Sequence, residues 1–369
     1  MKVSHWHTGL VLLLLFALNT GVGQAQDSAS SNEIDLASLY CLVVGISDYE
    51  MGKPRGSLER ASLHDLQHAH EDALAFQQTL LDCGVAEANI HTLLNSKATK
   101  AQLSKELNWL VNADNASGLI FYYSGHGSDN VPDLDRDENA QRPGDRFDEA
   151  LVPFDALDLY QYDKRKALAN PELMKQLLTE SIDKLLIDDE IFGFLNKTEV
   201  PFVIILDSCF SGGSARGLEE ELEVQHKSPN TGIDDELIAI RLIPSYWVSA
   251  VFPDLDEGTA PEEPIMLDLP DNAAMLAAST ENQTSLEHPD LGGVFTFFLL
   301  LALNDAEAQA EADANADGWV DLSEAFSYAK DLTDELTMDI AMAYNNDELY
   351  QQPSALNLEL AINLKLAER

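Results

Sequence analysis

The chain has 369 residues, 45% hydrophobic and 8% aromatic, enough to bury one large core or two ordinary ones. Its 64 acidic residues against 22 basic give a formal net charge of -42, which argues against nucleic acid and anionic lipid as partners and suits divalent cations. Three cysteines, Cys41, Cys83 and Cys209, are too few for a disulfide scaffold.

The first thirty residues carry one lysine, an apolar stretch from Leu10 to Leu18, and small residues at Gly23 and Ala25. They read as a signal peptide over 1–25 followed by a linker over 26–37, with an uncleaved anchor as the alternative. The mature protein is then expected in the periplasm or outside the cell. Residues 39–46 read as a buried strand containing Cys41. Residues 64–82, with Leu66, Ala69, Ala73, Phe76, Leu80 and Leu81 near helical spacing, read as an amphipathic helix closed by Cys83. Both thiols read as buried and inert. A short strand follows at 89–94, and a helix begins at Thr99, which is placed to cap it.

The apolar run from Gly118 ends on His126 between two glycines, and the run from Val200 delivers Cys209 into a turn with Gly212 and Gly213. Between them the spacing predicts a helix from Ile182 to Leu195, and after them a strand at 273–279. Strand alternating with helix predicts an α/β fold with a mostly parallel sheet covered on both faces. Residues 158–181 and 215–271 interrupt the alternation and read as surface insertions within one domain over 38–366. In such sheets sites gather beyond the carboxyl ends of the strands, where His126 and Cys209 both fall. Spacing leaves two readings open: a base and nucleophile, or a structural histidine and a buried cysteine that never meet.

The segments FYYSGHGS and VIILDSCFSGGS together resemble the paired motifs of the caspase-like cysteine peptidases, in their metacaspase and bacterial branch. LVVGISDY resembles that family's first strand, HEDALAFQQTL its first helix, and ASTENQTSLEHPDLGGVFTFFLLLAL a later strand leading into a helix; the likeness covers about residues 38–304. It implies a three-layer sandwich of helices around the sheet, Cys209 as nucleophile, His126 as acid and base, and the amides of Gly127 and Cys209 as oxyanion hole. It also implies a pocket of Asp72, Ser124 and Asp207 that selects a basic P1 residue. Phe210 and Arg216 depart from the family pattern, and Arg216 weakens any transfer of the calcium site of calcium-dependent metacaspases. The acidic loop with Asp133, Asp135 and Asp137 reads equally as a cation site and as solvated chain.

DANADGWVDLSE fits the EF-hand loop pattern, with Asp313, Asn315, Asp317, the Trp319 carbonyl, Asp321 and Glu324 as the calcium ligands and Gly318 at the turn. A single such loop suggests a structural clip. Helical sequence follows from Leu322 to Tyr344. His64 and His68 share a helix face but lack a third ligand. The expectation is an exported cysteine endopeptidase acting on proteins or peptides after Arg or Lys, without a catalytic cofactor. Its rivals are the same peptidase with another P1 preference and a catalytically silent calcium-binding interaction module. The segment from Ala215 to Asp271 is expected to hold a processing loop cut after Arg216, Lys227 or Arg241.

Overall fold

Four apolar runs, LYCLVVG, GLIFYYS, FVIILD and AAMLA, become strands β1 (Leu39–Gly45), β3 (Gly118–Ser124), β7 (Phe202–Asp207) and β9 (Ala273–Ala277). They pair in parallel as neighbours in the order β9-β7-β3-β1. Strand β2 (Ile90–Leu94) adds in parallel beside β1, and β13 (Ser354–Leu356) runs antiparallel along β9, completing a six-stranded sheet. Strands buried on both faces need side chains apolar in both directions, which is why these runs are continuous and not alternating. The structure, a computed structural model, describes residues 34–51, 63, 65–132, 147–208, 225–226, 251, 269–280 and 283–368. The expected signal segment, His64, the acidic loop at Asp133–Asp137, Cys209 and most of residues 215–271 lie outside the described residues.

Successive residues of each strand serve opposite faces. Leu42, Val44, Phe121, Tyr123, Ile204 and Leu206 pack with Leu103 and Leu107 of α2 (Lys100–Val111), Met174 and Leu178 of α4 (Pro171–Asp183) and Ile191 of α5 (Asp188–Leu195). On the other face Cys41, Val43, Ile120, Tyr122, Val203 and Ile205 meet Phe76 and Leu80 of α1 (Ala69–Asp82). Phe295 and Leu299 of α6 (Val294–Asn304) and Phe326 of α8 (Leu322–Tyr344) complete that layer. This is the α/β sandwich with a mostly parallel central sheet that the alternation predicts.

The cap at α2 is as read: Thr99 accepts from the Gln102 N–H at 3.3 Å. Two helix limits differ from the sequence reading. The first helix begins at Ala69 and not at residue 64, and the N–H groups of Gln67 and His68 just before it are bound by the carboxylate of Glu287. The helix expected over Ile182–Leu195 is divided: α4 ends at Asp183, β6 (Leu186–Ile187) pairs with β5 (Phe147–Leu151), and α5 begins at Asp188. Leu185 and Leu186 are buried, so tertiary packing overrides the helical periodicity there. The segment 158–181 is not the surface insertion expected: it contains α3 (Lys164–Leu168) and most of α4, and its Leu159, Met174 and Leu178 are buried in the core.

Candidate active site

The carboxyl ends of β3 and β7 lie side by side, with Ser124 and Asp207 as register partners. The chain turns at Gly125 and His126 into β4 (Gly127–Pro132), the edge of a small antiparallel sheet with β5 and β6. His126 is thus placed just past the end of the central sheet and is buried. Its N–H donates to the Tyr49 hydroxyl at 2.8 Å, and its carbonyl accepts from the Tyr123 hydroxyl at 2.8 Å and the Val152 N–H at 3.0 Å. The Tyr49 ring lies 4.9 Å from the imidazole, tilted by 35°.

Asp72, Ser124 and Asp207 are brought together and all three are buried. Ser124 donates its hydroxyl to Asp72 Oδ2 at 3.2 Å. Asp72 also receives the Gly293 N–H at 3.2 and 3.3 Å, from the short strand β11 (Gly292–Gly293). Asp207 accepts from the hydroxyls of Ser285 and Thr296, each at 2.6 Å, and from the Thr296 N–H at 3.3 Å. These donors satisfy the oxygens of both carboxylates, as burial of polar groups requires. Cys209, two residues beyond Asp207, lies outside the described residues.

Sequence reasoning missed several members of this network. Glu287, on β10 (Leu286–His288), is buried and takes the N–H groups of Gln67 and His68 at 2.9 and 2.6 Å. Ser285, Thr296 and Glu287 all lie in the stretch SLEHPDLGGVFT, where polar residues stand directly against apolar ones. That was the available signal. Gly292 has φ +77°, and a Cβ there would run into Asp72 Oδ1, so the position requires glycine. Cys41 and Cys83 are free thiols, with Cys41 raised far above the ordinary range by burial and Cys83 pushed up to about 11 by burial and the Asp82 charge.

The EF-hand-like loop joins α7 (Ala306–Ala312) to β12 (Trp319–Asp321) and α8. Gly318 sits at φ +89°. Asp313 accepts from the N–H groups of Asp317 and Gly318 at 3.1 and 3.2 Å. Asp321 and Glu324 form a capping box on α8, and Glu324 also takes the Asn315 N–H at 3.1 Å. Lys365 of β14 (Lys365–Glu368), which pairs with β12, donates to Asp317 Oδ2 at 2.8 Å and holds that carboxyl below its ordinary value. The donors are all oxygen, the type a hard cation takes, but the carboxylates of Asp313, Asp321 and Glu324 are here turned onto backbone N–H groups. Among the described residues, no group of three or more His, Cys, Asp or Glu side chains is gathered as metal ligands, and no helix is long and apolar enough to cross a membrane.

The family model of the caspase domain matches residues 38–329. Metacaspase-1A of Aspergillus niger is 32% identical over 123 residues, 32% of this chain and 23% of that protein. Metacaspase-1 of Emericella nidulans is 31% identical over the same length and shares. The chain thus spans about a quarter of the curated relatives it matches. A solved structure, protein GSU0716 from Geobacter sulfurreducens, covers 72% of this chain and 81% of its own at 19% identity with a TM-score of 0.41, too loose to bear on the assignment. The family match spans most of the described fold, from β1 into α8, and includes the strand ends that carry Ser124, His126 and Asp207: the chain belongs to the caspase-domain family.

Proposed function

We propose that this protein is an exported cysteine endopeptidase that cuts after Arg or Lys through Cys209 and His126. The observation that carries the reading is the grouping of Asp72, Ser124 and Asp207 beside His126 at the end of the sheet. Two carboxylates grouped at the end of the sheet, Asp72 and Asp207, are the side chains by which a cationic P1 residue would be recognised. In this reading His126 takes the thiol proton as the Cys209 sulfur bonds to the scissile carbonyl carbon. The carbon–nitrogen bond then breaks and His126 gives that proton to the leaving amine. Water attacks the thioester, His126 takes its proton, and the returning thiolate recovers it as the acid product departs.

Export rests on the apolar stretch Leu10–Leu18 and the small residues before Gln26. Calcium, where bound, would be held by Asp313, Asn315, Asp317, Asp321, Glu324 and the Trp319 carbonyl. It would supply a cross-link between α7, β12 and α8, remote in role from the peptide chemistry. The deciding experiment measures hydrolysis of fluorogenic peptides varied at P1, with and without calcium, by wild type, Cys209→Ala and His126→Ala. Cleavage confined to Arg and Lys and lost in both variants is expected. Turnover by folded Cys209→Ala overturns the mechanism.

A further inference from the structure

Both backbone polar groups of His126 end on tyrosine hydroxyls. Its N–H donates to Tyr49 Oη at 2.8 Å, and its carbonyl accepts from Tyr123 Oη at 2.8 Å. Both hydroxyls lie close to Gly125, on which a Cβ would stand 2.7 Å from Tyr123 Oη and 3.0 Å from Tyr49 Oη. The two tyrosines thus hold the His126 backbone at both of its polar groups. Tyr123 further contacts the Val152 carbonyl at 3.0 Å, and the Val152 N–H donates to the His126 carbonyl at 3.0 Å. All of these side chains are buried. Burial raises both phenols above their ordinary range.

A planar peptide points its N–H opposite to its C=O. Fixing the His126 carbonyl therefore fixes the N–H of Gly127. The antiparallel ladder decides where that N–H points. Gly127 pairs with Leu151 and Ser128 with Ala150, and the bond from the Val152 N–H to the His126 carbonyl flanks the first pair. Gly127 and Leu151 are thus a pair that exchanges no hydrogen bonds, and the Gly127 N–H is directed away from β5, at the edge of its sheet. A donor on an oxyanion needs this arrangement: an N–H outside the ladder, aimed by a peptide that cannot rotate.

We propose that Tyr49 and Tyr123 are positioning residues for catalysis, Tyr49 orienting the His126 imidazole and Tyr123 orienting the His126–Gly127 peptide as an oxyanion donor. The proposal rests on the Cys209–His126 reading above. If the tyrosines only satisfy buried polar groups, removing a hydroxyl costs stability and leaves the kinetics of folded molecules alone.

The test uses Tyr49→Phe and Tyr123→Phe in the full chain. For each, kcat and KM on a P1-Arg peptide, the rate of Cys209 alkylation by iodoacetamide, the affinity for a P1-Arg peptide aldehyde and the melting temperature are measured. Tyr123→Phe should lower kcat by about 10- to 100-fold at nearly constant KM and weaken the aldehyde, while iodoacetamide reacts at the wild-type rate. Tyr49→Phe should lower kcat and slow alkylation together. Gly125→Ala is the second variant: its Cβ would stand 2.7 Å from Tyr123 Oη and 3.0 Å from Tyr49 Oη, displacing both hydroxyls without deleting either. It should reproduce the loss of kcat, and it decides the matter if a Phe variant does not fold. Wild-type kcat in the folded variants overturns the proposal, as does a loss of melting temperature with aldehyde affinity and alkylation unchanged. Activity surviving in Cys209→Ala would instead remove the reading beneath it, so the two failures are told apart.

Discussion

Ser124 and Asp207 are register partners at the ends of β3 and β7, and Ser124 donates across to Asp72 on α1. Ser124 thus links an aspartate of the sheet, through backbone register, with an aspartate of the helix layer, through its hydroxyl. The pair is the first object of test.

Asp207→Asn should keep the shape of the site and remove one charge. The expected loss in kcat/KM for P1-Arg peptides corresponds to about 2 to 5 kcal/mol, the range for an unpaired buried charge. P1-Leu peptides measured beside them should change far less. A wild-type preference for P1 Asp or Leu would show that the pocket is misassigned.

Gly292→Ala tests the same pocket from its far wall. The added Cβ would displace Asp72 Oδ1 and forces a positive φ on an L residue, a strain of about 1 to 3 kcal/mol. Raised KM for P1-Arg substrates with a lowered melting temperature is the expected pair of results, read from steady-state kinetics and calorimetry.

Calcium should raise the melting temperature of metal-stripped protein, by about 2.7 kcal/mol of stability at a hundredfold excess over Kd. Glu324 also completes the α8 capping box, so Glu324→Gln lowers stability without calcium as well. The informative quantity is therefore the calcium-induced shift, which should shrink in Glu324→Gln. In Lys365→Met, where Asp317 loses its ammonium partner, it should grow. A flat titration of wild type removes the site.

A fourth expectation concerns pH. Burial pushes the Glu106 carboxyl up, but hydrogen bonds from His91 at 2.6 Å and Lys105 at 3.1 Å outweigh it and leave the group below its ordinary value. A depressed carboxyl contributes stability above the unfolded value of about 4.3 and loses it as pH falls through the folded value. Glu106→Gln should therefore be less stable than wild type by about 1 kcal/mol at neutral pH. The difference should close under acid, in denaturant titrations run from pH 7 downward. A gap that persisted in acid would assign the cost to packing.

The central strands were legible because burial on both faces leaves a continuous apolar run, as in GLIFYYS and FVIILD. The helix at Leu322–Tyr344 was legible from end to end because Asp321 and Glu324 mark its start. Asp72 could be named only through the family resemblance, since a carboxylate on an amphipathic helix looks solvated until its partners Ser124 and Gly293 are known. Glu287 escaped notice for the opposite reason. It works through backbone N–H groups 219 and 220 residues away in sequence, and backbone donors leave no mark in a string of side chains. The break between α4 and α5 was hidden because Leu185 and Leu186 satisfy a helical period as readily as a strand's.

The antiparallel strand β13 also governs how this protein is to be handled. The family match stops at residue 329, a natural place to end an expression clone. That cut would sever α8 part-way along its Leu322–Tyr344 length and strip β9 of the neighbour supplied by Ser354–Leu356. A shortened protein would carry an open, apolar sheet margin next to the strand end that carries Asp207, inviting a second molecule to pair there and precipitate. A piece worth producing therefore keeps β13 and β14, longer at the carboxyl end than sequence kinship alone would suggest.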